Sequence, residues 1–260
     1  MRVSSIMDCG YPSIYVDELA TKARAVLREC ALRILPVVDE NKQLIGVVSR
    51  RDIMIITSSI SAIRVKGIMS TPRFTATTEM DAFQAAREMV RLDEWYVPVV
   101  KSSQDRAYEG MLGLENFIAA FLNGNSVKLS EPLSTIMSTN IITCSFEDEI
   151  DNVWRLMQKK SFTGLPVVKK NKLVGVVTQK DLLDSGAVFP VFEAKKGRFK
   201  APSKVSSVMK TPAISLQSTD TIKEAAELML RKNFGRIPIV DGKDKLIGIV
   251  DREDIVNVFL

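Results

Sequence analysis

The chain reads as a mixed α/β (α+β) protein of four tandem repeats, each strand-helix-strand-strand-helix, and three observations point there. First, one stretch recurs four times: LPVVDENKQLIGVVSRRDI at 35–53, VPVVKSSQDRAYEGMLGLENF at 97–117, LPVVKKNKLVGVVTQKDL at 165–182 and IPIVDGKDKLIGIVDREDI at 237–255. Second, a methionine opens each copy, and 29 residues separate Met7 from Pro36, Met69 from Pro98, Met137 from Pro166 and Met209 from Pro238. Third, apolar residues recur with helical spacing between each methionine and its proline.

Within a repeat, a small hydroxylic residue (Ser13, Thr75, Thr143 or Ser215) follows the methionine and ends a short extended segment such as 140–143, which predicts a first strand. The helix after it carries apolar columns: Ala82, Ala85, Ala86, Met89; Ile150, Val153, Trp154, Met157; and Ile222, Ala225, Ala226, Met229. Repeat 1 keeps Ala20, Ala23 and Leu27 but sets Arg24 in one column. Methionines at this spacing read as core. Next come two apolar runs, such as 165–168 and 173–177, split by a polar segment, the pattern of a β-hairpin. Thr178 to Asp181 then forms a capping-box pattern that starts the closing helix.

These units define repeats at 1–58, 62–123, 130–185 and 205–260, with a basic inserted linker at 186–204. A unit this small needs a neighbour to bury its apolar surface, so repeats 1 with 2 and 3 with 4 are expected to pair, as modules 1–123 and 130–260.

Composition narrows the function. Hydrophobic residues make up 46% and charged residues 26%, an ordinary globular balance, and no apolar run is long enough to span a membrane. With no signal-peptide pattern at Met1, a cytoplasmic protein is expected. Cys9, Cys30 and Cys144 have neither disulfide nor zinc spacing and read as buried or partly buried thiols. The chain has no histidine, no metal-ligand cluster and no P-loop, so no catalytic residue, metal or cofactor is assigned and an enzyme is not expected. A net charge of +5 favours anionic partners.

The Met-x-x-Pro starts at Met69 and Met209, the h-P-V-V strand and the G-h-h-[ST]-x-x-D ending together resemble the CBS domain family, named for cystathionine β-synthase. The resemblance spans nearly the whole chain. It implies two Bateman modules, each a pseudo-twofold pair of repeats, that bind adenine nucleotides (AMP, ADP or ATP) as regulatory ligands in the clefts. It also implies signalling to a separate partner. The family's phosphate and ribose positions map onto Thr178 and Asp181 in repeat 3 and Ser49 and Asp52 in repeat 1. Its base-contacting positions map onto Thr143, Gly164, Leu165 and Pro166, and onto Ser13, Ile34, Leu35 and Pro36.

The residue types suit that ligand, because a hydroxyl and free N–H groups at a helix start donate to phosphate while a carboxylate accepts from ribose hydroxyls. The same pairs also make capping boxes that stabilise a helix by ~1 kcal/mol with no ligand. Repeat 4 has Asp251 in place of the hydroxyl, which would repel phosphate, and repeat 2 has Gly113. One competent cleft per module is therefore expected. Arg50 and Arg252 are placed to neutralise phosphate across a cleft or to lie solvated on a first helical turn.

The linker carries Lys195, Lys196, Arg198, Lys200 and Lys204 with no acidic residue among them and Phe199 inside the run. Such a segment serves as a contact for RNA or a ribonucleoprotein such as the ribosome, or as a solvated loop. The expected partners are an adenine nucleotide and a protein or ribonucleoprotein, with no membrane and with a homodimer left open.

Overall fold

The computed structural model describes residues 1–53, 61–124, 126–160, 162–185 and 203–260, with the side chains of 183 and 184 left aside. Repeat 1 comprises β1 (Ile14–Tyr15), α1 (Ala20–Glu29), β2 (Ile34–Val38), β3 (Leu44–Ser49) and α2 (Arg50–Ile53). Repeat 2 comprises β4 (Ala76–Thr77), α3 (Ala82–Arg91), β5 (Tyr96–Val100), β6 (Tyr108–Gly113) and α4 (Leu114–Asn123). Repeat 3 has β7 (Cys144–Ser145), α5 (Ile150–Lys160), β8 (Gly164–Lys169), β9 (Lys172–Thr178) and α6 (Gln179–Asp184). Repeat 4 has β10 (Leu216–Gln217), α7 (Ile222–Lys232), β11 (Arg236–Val240), β12 (Leu246–Asp251) and α8 (Arg252–Asn257). None of the helices described is long and apolar enough to cross a membrane.

Each repeat makes one small mixed sheet. Its first strand pairs in parallel with the second across the helical crossover, and the second pairs antiparallel with the third. The first strand starts one residue beyond the hydroxylic residue that was expected to end it. Ile14, Ala76 and Cys144 are buried against their neighbours, so the strand forms where an apolar side chain can enter the core, and Ser13 and Thr143 precede it.

The helical columns face inward. Ala82, Ala85, Ala86 and Met89 are wholly buried, as are Ala225, Ala226 and Met229. The Asp81 carboxylate caps α3 by accepting from Gln84 N at 3.1 Å, and Thr221 and Glu224 form a reciprocal capping box on α7. The central strands are buried along almost their whole length, as expected of a sheet covered on both faces.

Two compact units result: 1–126 together with 252–260, and 127–251. Repeat 4 was expected to lie wholly in the second module, but its last helix belongs to the first unit, where α8 packs on α3 and α4. Phe259 stacks on Phe121 with ring centroids 4.2 Å apart. Arg252, only 1% exposed, donates from Nη1 to Tyr96 Oη and to Glu115 Oε2, each at 2.8 Å. It is therefore not solvated on a first helical turn.

Within each unit the paired repeats exchange their methionine segments. In the first unit Ser70 of repeat 2 bridges Val47 of β3, and Asp8 of repeat 1 bridges Met111 of β6. In the second, Lys210 bridges Val176 and Ser138 bridges Ile249. The motif glycine makes room for this crossing: a Cβ on Gly46 would lie 3.0 Å from Met69 Sδ, one on Gly175 2.8 Å from Lys210 O, and one on Gly248 2.6 Å from Met137 Sδ. The methionine and glycine columns are thus two sides of one contact.

Of the thiols, only Cys144 is buried; Cys9 and Cys30 are exposed, contrary to expectation, because Cys9 lies in the crossing segment and Cys30 just past the end of α1. Burial pushes the Cys144 thiol up to about 12.

Candidate functional site

In the first unit a cavity of about 320 Å³ opens where the end of β3 meets the segments contributed by repeat 2. Repeat 1 supplies Ile34, Val47, Ser49, Arg51 and Asp52; repeat 2 supplies residues 70–74 together with Glu94, Tyr96, Val97 and Pro98. The volume sits at the low end of the range for small-molecule sites.

The turn from β3 into α2 positions the polar end. Ser49 N and Oγ both donate to Asp52 Oδ2 at 2.7 Å, and Asp52 N donates back to Ser49 Oγ at 3.4 Å. This is the capping box. It uses one carboxylate oxygen of Asp52, a residue that lines the cavity, and Oδ1 keeps acceptor capacity.

Arg73, on the repeat 2 side of the cavity, is held within its own repeat. Its Nη1 donates to Leu92 O at 2.5 Å and lies 3.5 Å from Glu94 Oε1. Desolvation raises the Glu94 pKa, and Arg73 opposes that rise only in part. Tyr96, whose pKa is raised by burial and by Glu115, carries the cavity wall to Arg252.

The corresponding position in repeat 2 is built differently. Gly113 N donates to Asn116 Oδ1 at 2.7 Å, so an amide caps the helix where repeat 1 uses a carboxylate. Tyr11, four residues after Met7 as Arg73 is after Met69, donates its hydroxyl to Ile34 O at 2.8 Å. Burial beside Tyr96, Glu115 and Tyr108 pushes its pKa well up. Nearby, the Arg33 guanidinium sits 4.9 Å from the Trp95 ring centroid, and desolvation lowers its pKa to about 10. Arg50 is not among the residues that line the cavity and donates to Ala31 O at 2.7 Å.

In the second unit the repeat 3 pair repeats the geometry. Thr178 N and Oγ1 donate to Asp181 Oδ2 at 2.9 and 2.6 Å, and Asp181 N donates to Thr178 Oγ1 at 3.2 Å. Lys210 Nζ, from the crossing segment of repeat 4, stands 3.6 Å from Asp181 Oδ1. Arg236 occupies the position of Tyr96, donating to Gly164 O at 3.4 Å over the Phe162 ring and lying 3.8 Å from Asp251. Asp251, the residue set where repeats 1 and 3 have a hydroxyl, is thereby paired with a cation.

Of the positions drawn from sequence, Ile34, Ser49 and Asp52 meet in the first cavity. Leu35 is wholly buried in the core, Pro36 is buried beside it, and Ser13 is exposed ahead of β1, so none of these three lines the cavity. In repeat 3, Gly164, Leu165 and Pro166 are buried in β8, Thr143 is partly buried ahead of β7, and Thr178 and Asp181 are joined by hydrogen bonds. Lys204 is exposed at the start of a 3₁₀ turn, whereas Lys195, Lys196, Arg198 and Lys200 lie outside the described residues. Arg51, Arg73, Glu94 and Tyr96 also line the cavity, outside the motif positions. Their signal was the constant methionine-to-proline spacing, which places the same segment of one repeat against the motif glycine of its partner.

Comparison with known proteins agrees with this architecture. The family model described as CBS domain matches four times, at 3–58, 65–123, 133–187 and 205–260. Protein MJ1225 of Methanocaldococcus jannaschii is 24% identical over 268 residues, covering 95% of this chain and 94% of that one. Its crystal structure, described as that of a candidate archaeal homologue of g-AMPK, superposes with a TM-score of 0.87 at 22% identity over the whole of both chains, a likeness of fold. An inosine-5'-monophosphate dehydrogenase of Thermoplasma acidophilum is 30% identical over 206 residues, 78% of this chain but 36% of that enzyme. Four matched domains, each with the same sheet and the same exchanged segment, make this chain a member of the CBS domain family.

Proposed function

We propose that the chain is a non-enzymatic regulatory protein that binds adenine nucleotides (AMP, ADP or ATP) in the clefts of its paired repeats and signals their presence to a separate partner in the cytoplasm. The observation that carries this reading is the first-unit cavity. It sets a hydroxyl and a carboxylate from repeat 1 opposite a guanidinium and a phenol ring from repeat 2. Guanidinium and hydroxyl groups suit phosphate, the second carboxylate oxygen of Asp52 suits ribose hydroxyls, and Val47, Val97 and Phe74 offer an apolar bed for a base. Thr178, Asp181 and Lys210 supply the same chemistry in the second unit. The similarity to g-AMPK stated for MJ1225 is consistent with a nucleotide-sensing role.

A second reading, association with RNA or the ribosome, rests on the basic run from Lys195 to Lys204. One experiment separates the two: native mass spectrometry of untagged protein purified at low salt. The nucleotide reading expects a bound mass equal to an adenine nucleotide, lost on dialysis. RNA fragments as the sole adduct would support the second reading, and adducts of neither kind would count against both.

A further inference from the structure

The charges lining the first cavity balance. Arg51 and Arg73 bring two cations, and Asp52 and Glu94 bring two carboxylates. Asp52 is held in its capping box, so its charge belongs to the helix start. Glu94 has no such duty. It caps no helix, its side chain is 26% exposed, and the cation nearest it is Arg73, at 3.5 Å.

We propose that Glu94 sets how many phosphates the first cavity accepts, acting as the counter-charge that a ligand phosphate must displace from Arg73 and so favouring nucleosides and monophosphates over triphosphates. This rests on the nucleotide reading above and narrows it. An anion reaching Arg73 comes within a few ångströms of Glu94, and with Glu94 26% exposed and Arg73 61% exposed solvent screens that encounter only in part. Each further phosphate adds negative charge against a carboxylate whose backbone is set between the end of α3 and the start of β5. The volume of about 320 Å³ points the same way, since it leaves little room beyond one mononucleotide. The groups facing Glu94 are Arg73 and Asp93, with Arg51 and Asp52 across the cavity. Its raised pKa, caused first by burial, accords with a carboxylate short of compensating charge.

The test is calorimetric titration of the full chain without magnesium, using adenosine, AMP, ADP and ATP. Both arms carry Asp181→Asn, which keeps the helix cap while weakening the second unit's site, and one arm adds Glu94→Gln, which keeps the shape and removes the charge. Adenosine should bind the two forms equally. The affinity gained by Glu94→Gln should grow along the series by about threefold or more per added charge. A gain of the same size for adenosine and ATP, or no gain for any ligand that binds, overturns the assignment of Glu94 while leaving the nucleotide reading intact. If neither form binds any of the four, the nucleotide reading of this cavity falls and the role of Glu94 falls with it.

Discussion

Asp52 and Asp181 each cap a helix start with one carboxylate oxygen; the other keeps acceptor capacity in Asp52 and lies 3.6 Å from Lys210 Nζ in Asp181, whose side chain is only 8% exposed. The hydroxyl and N–H of Ser49 or Thr178 converge on Oδ2 in both repeats, so the helix start is capped whether or not a ligand is present. The cap and ligand readings of the motif are therefore compatible, and a substitution can separate them. Repeat 2 contains the natural control, because Asn116 caps Gly113 N through an amide oxygen at 2.7 Å. Asp52→Asn should accordingly keep the cap and change folding stability by less than about 1 kcal/mol. Losing the charged acceptor for ribose hydroxyls should weaken AMP binding in the first unit by about 1.5–3 kcal/mol, roughly ten- to a hundredfold. Thermal melts and calorimetry on the same preparation check both halves. Equal losses in stability and affinity would mean the carboxylate acts only on the fold.

At the scale of the element, the crossing of the methionine segment over the partner sheet decides which residues meet. A glycine is needed where the partner backbone passes: a Cβ on Gly175 would fall 2.8 Å from Lys210 O, closer than packed atoms come, whereas one on Gly242 would meet nothing within 4 Å. Gly175→Ala should destabilise the chain by about 1–3 kcal/mol, as overpacked sites do, and Gly242→Ala should be close to neutral. Comparison of the two urea midpoints tests this, and equal midpoints would mean that the crossing yields without cost. The same crossing explains what could be read from sequence and what could not. The helical columns and the hairpins are local, with periods of 3.6 and 2, so Ala82, Met89 and Met157 declared themselves as core. The two-residue first strands carry too little pattern to place to within a residue. Arg73, Glu94 and Tyr96 lie between 20 and 50 residues from Ser49 along the chain, and only the exchanged segment brings them to it.

Across the whole molecule, four copies of one unit have diverged in their clefts. Repeats 1 and 3 keep the hydroxyl and carboxylate; repeat 2 has an amide cap with Tyr11 packed alongside, and repeat 4 has Asp251 opposite Arg236. Repetition was plain in the sequence, and so was the coincidence of hydroxyl and carboxylate in one repeat of each pair. The departure of α8 to the first unit was not, because it depends on Arg252 finding Glu115 and Tyr96, more than a hundred residues away in sequence. The central claim is that the chain holds two nucleotide sites, one per unit, each built on its own aspartate. Calorimetric titration with AMP, comparing the native chain with Asp52→Asn, Asp181→Asn and the double variant, tests it most directly. Two sites in the native chain, one in each single variant and none in the double variant at the same AMP concentrations are predicted. Unchanged stoichiometry and affinity in the double variant, or no binding by the native chain, would contradict it.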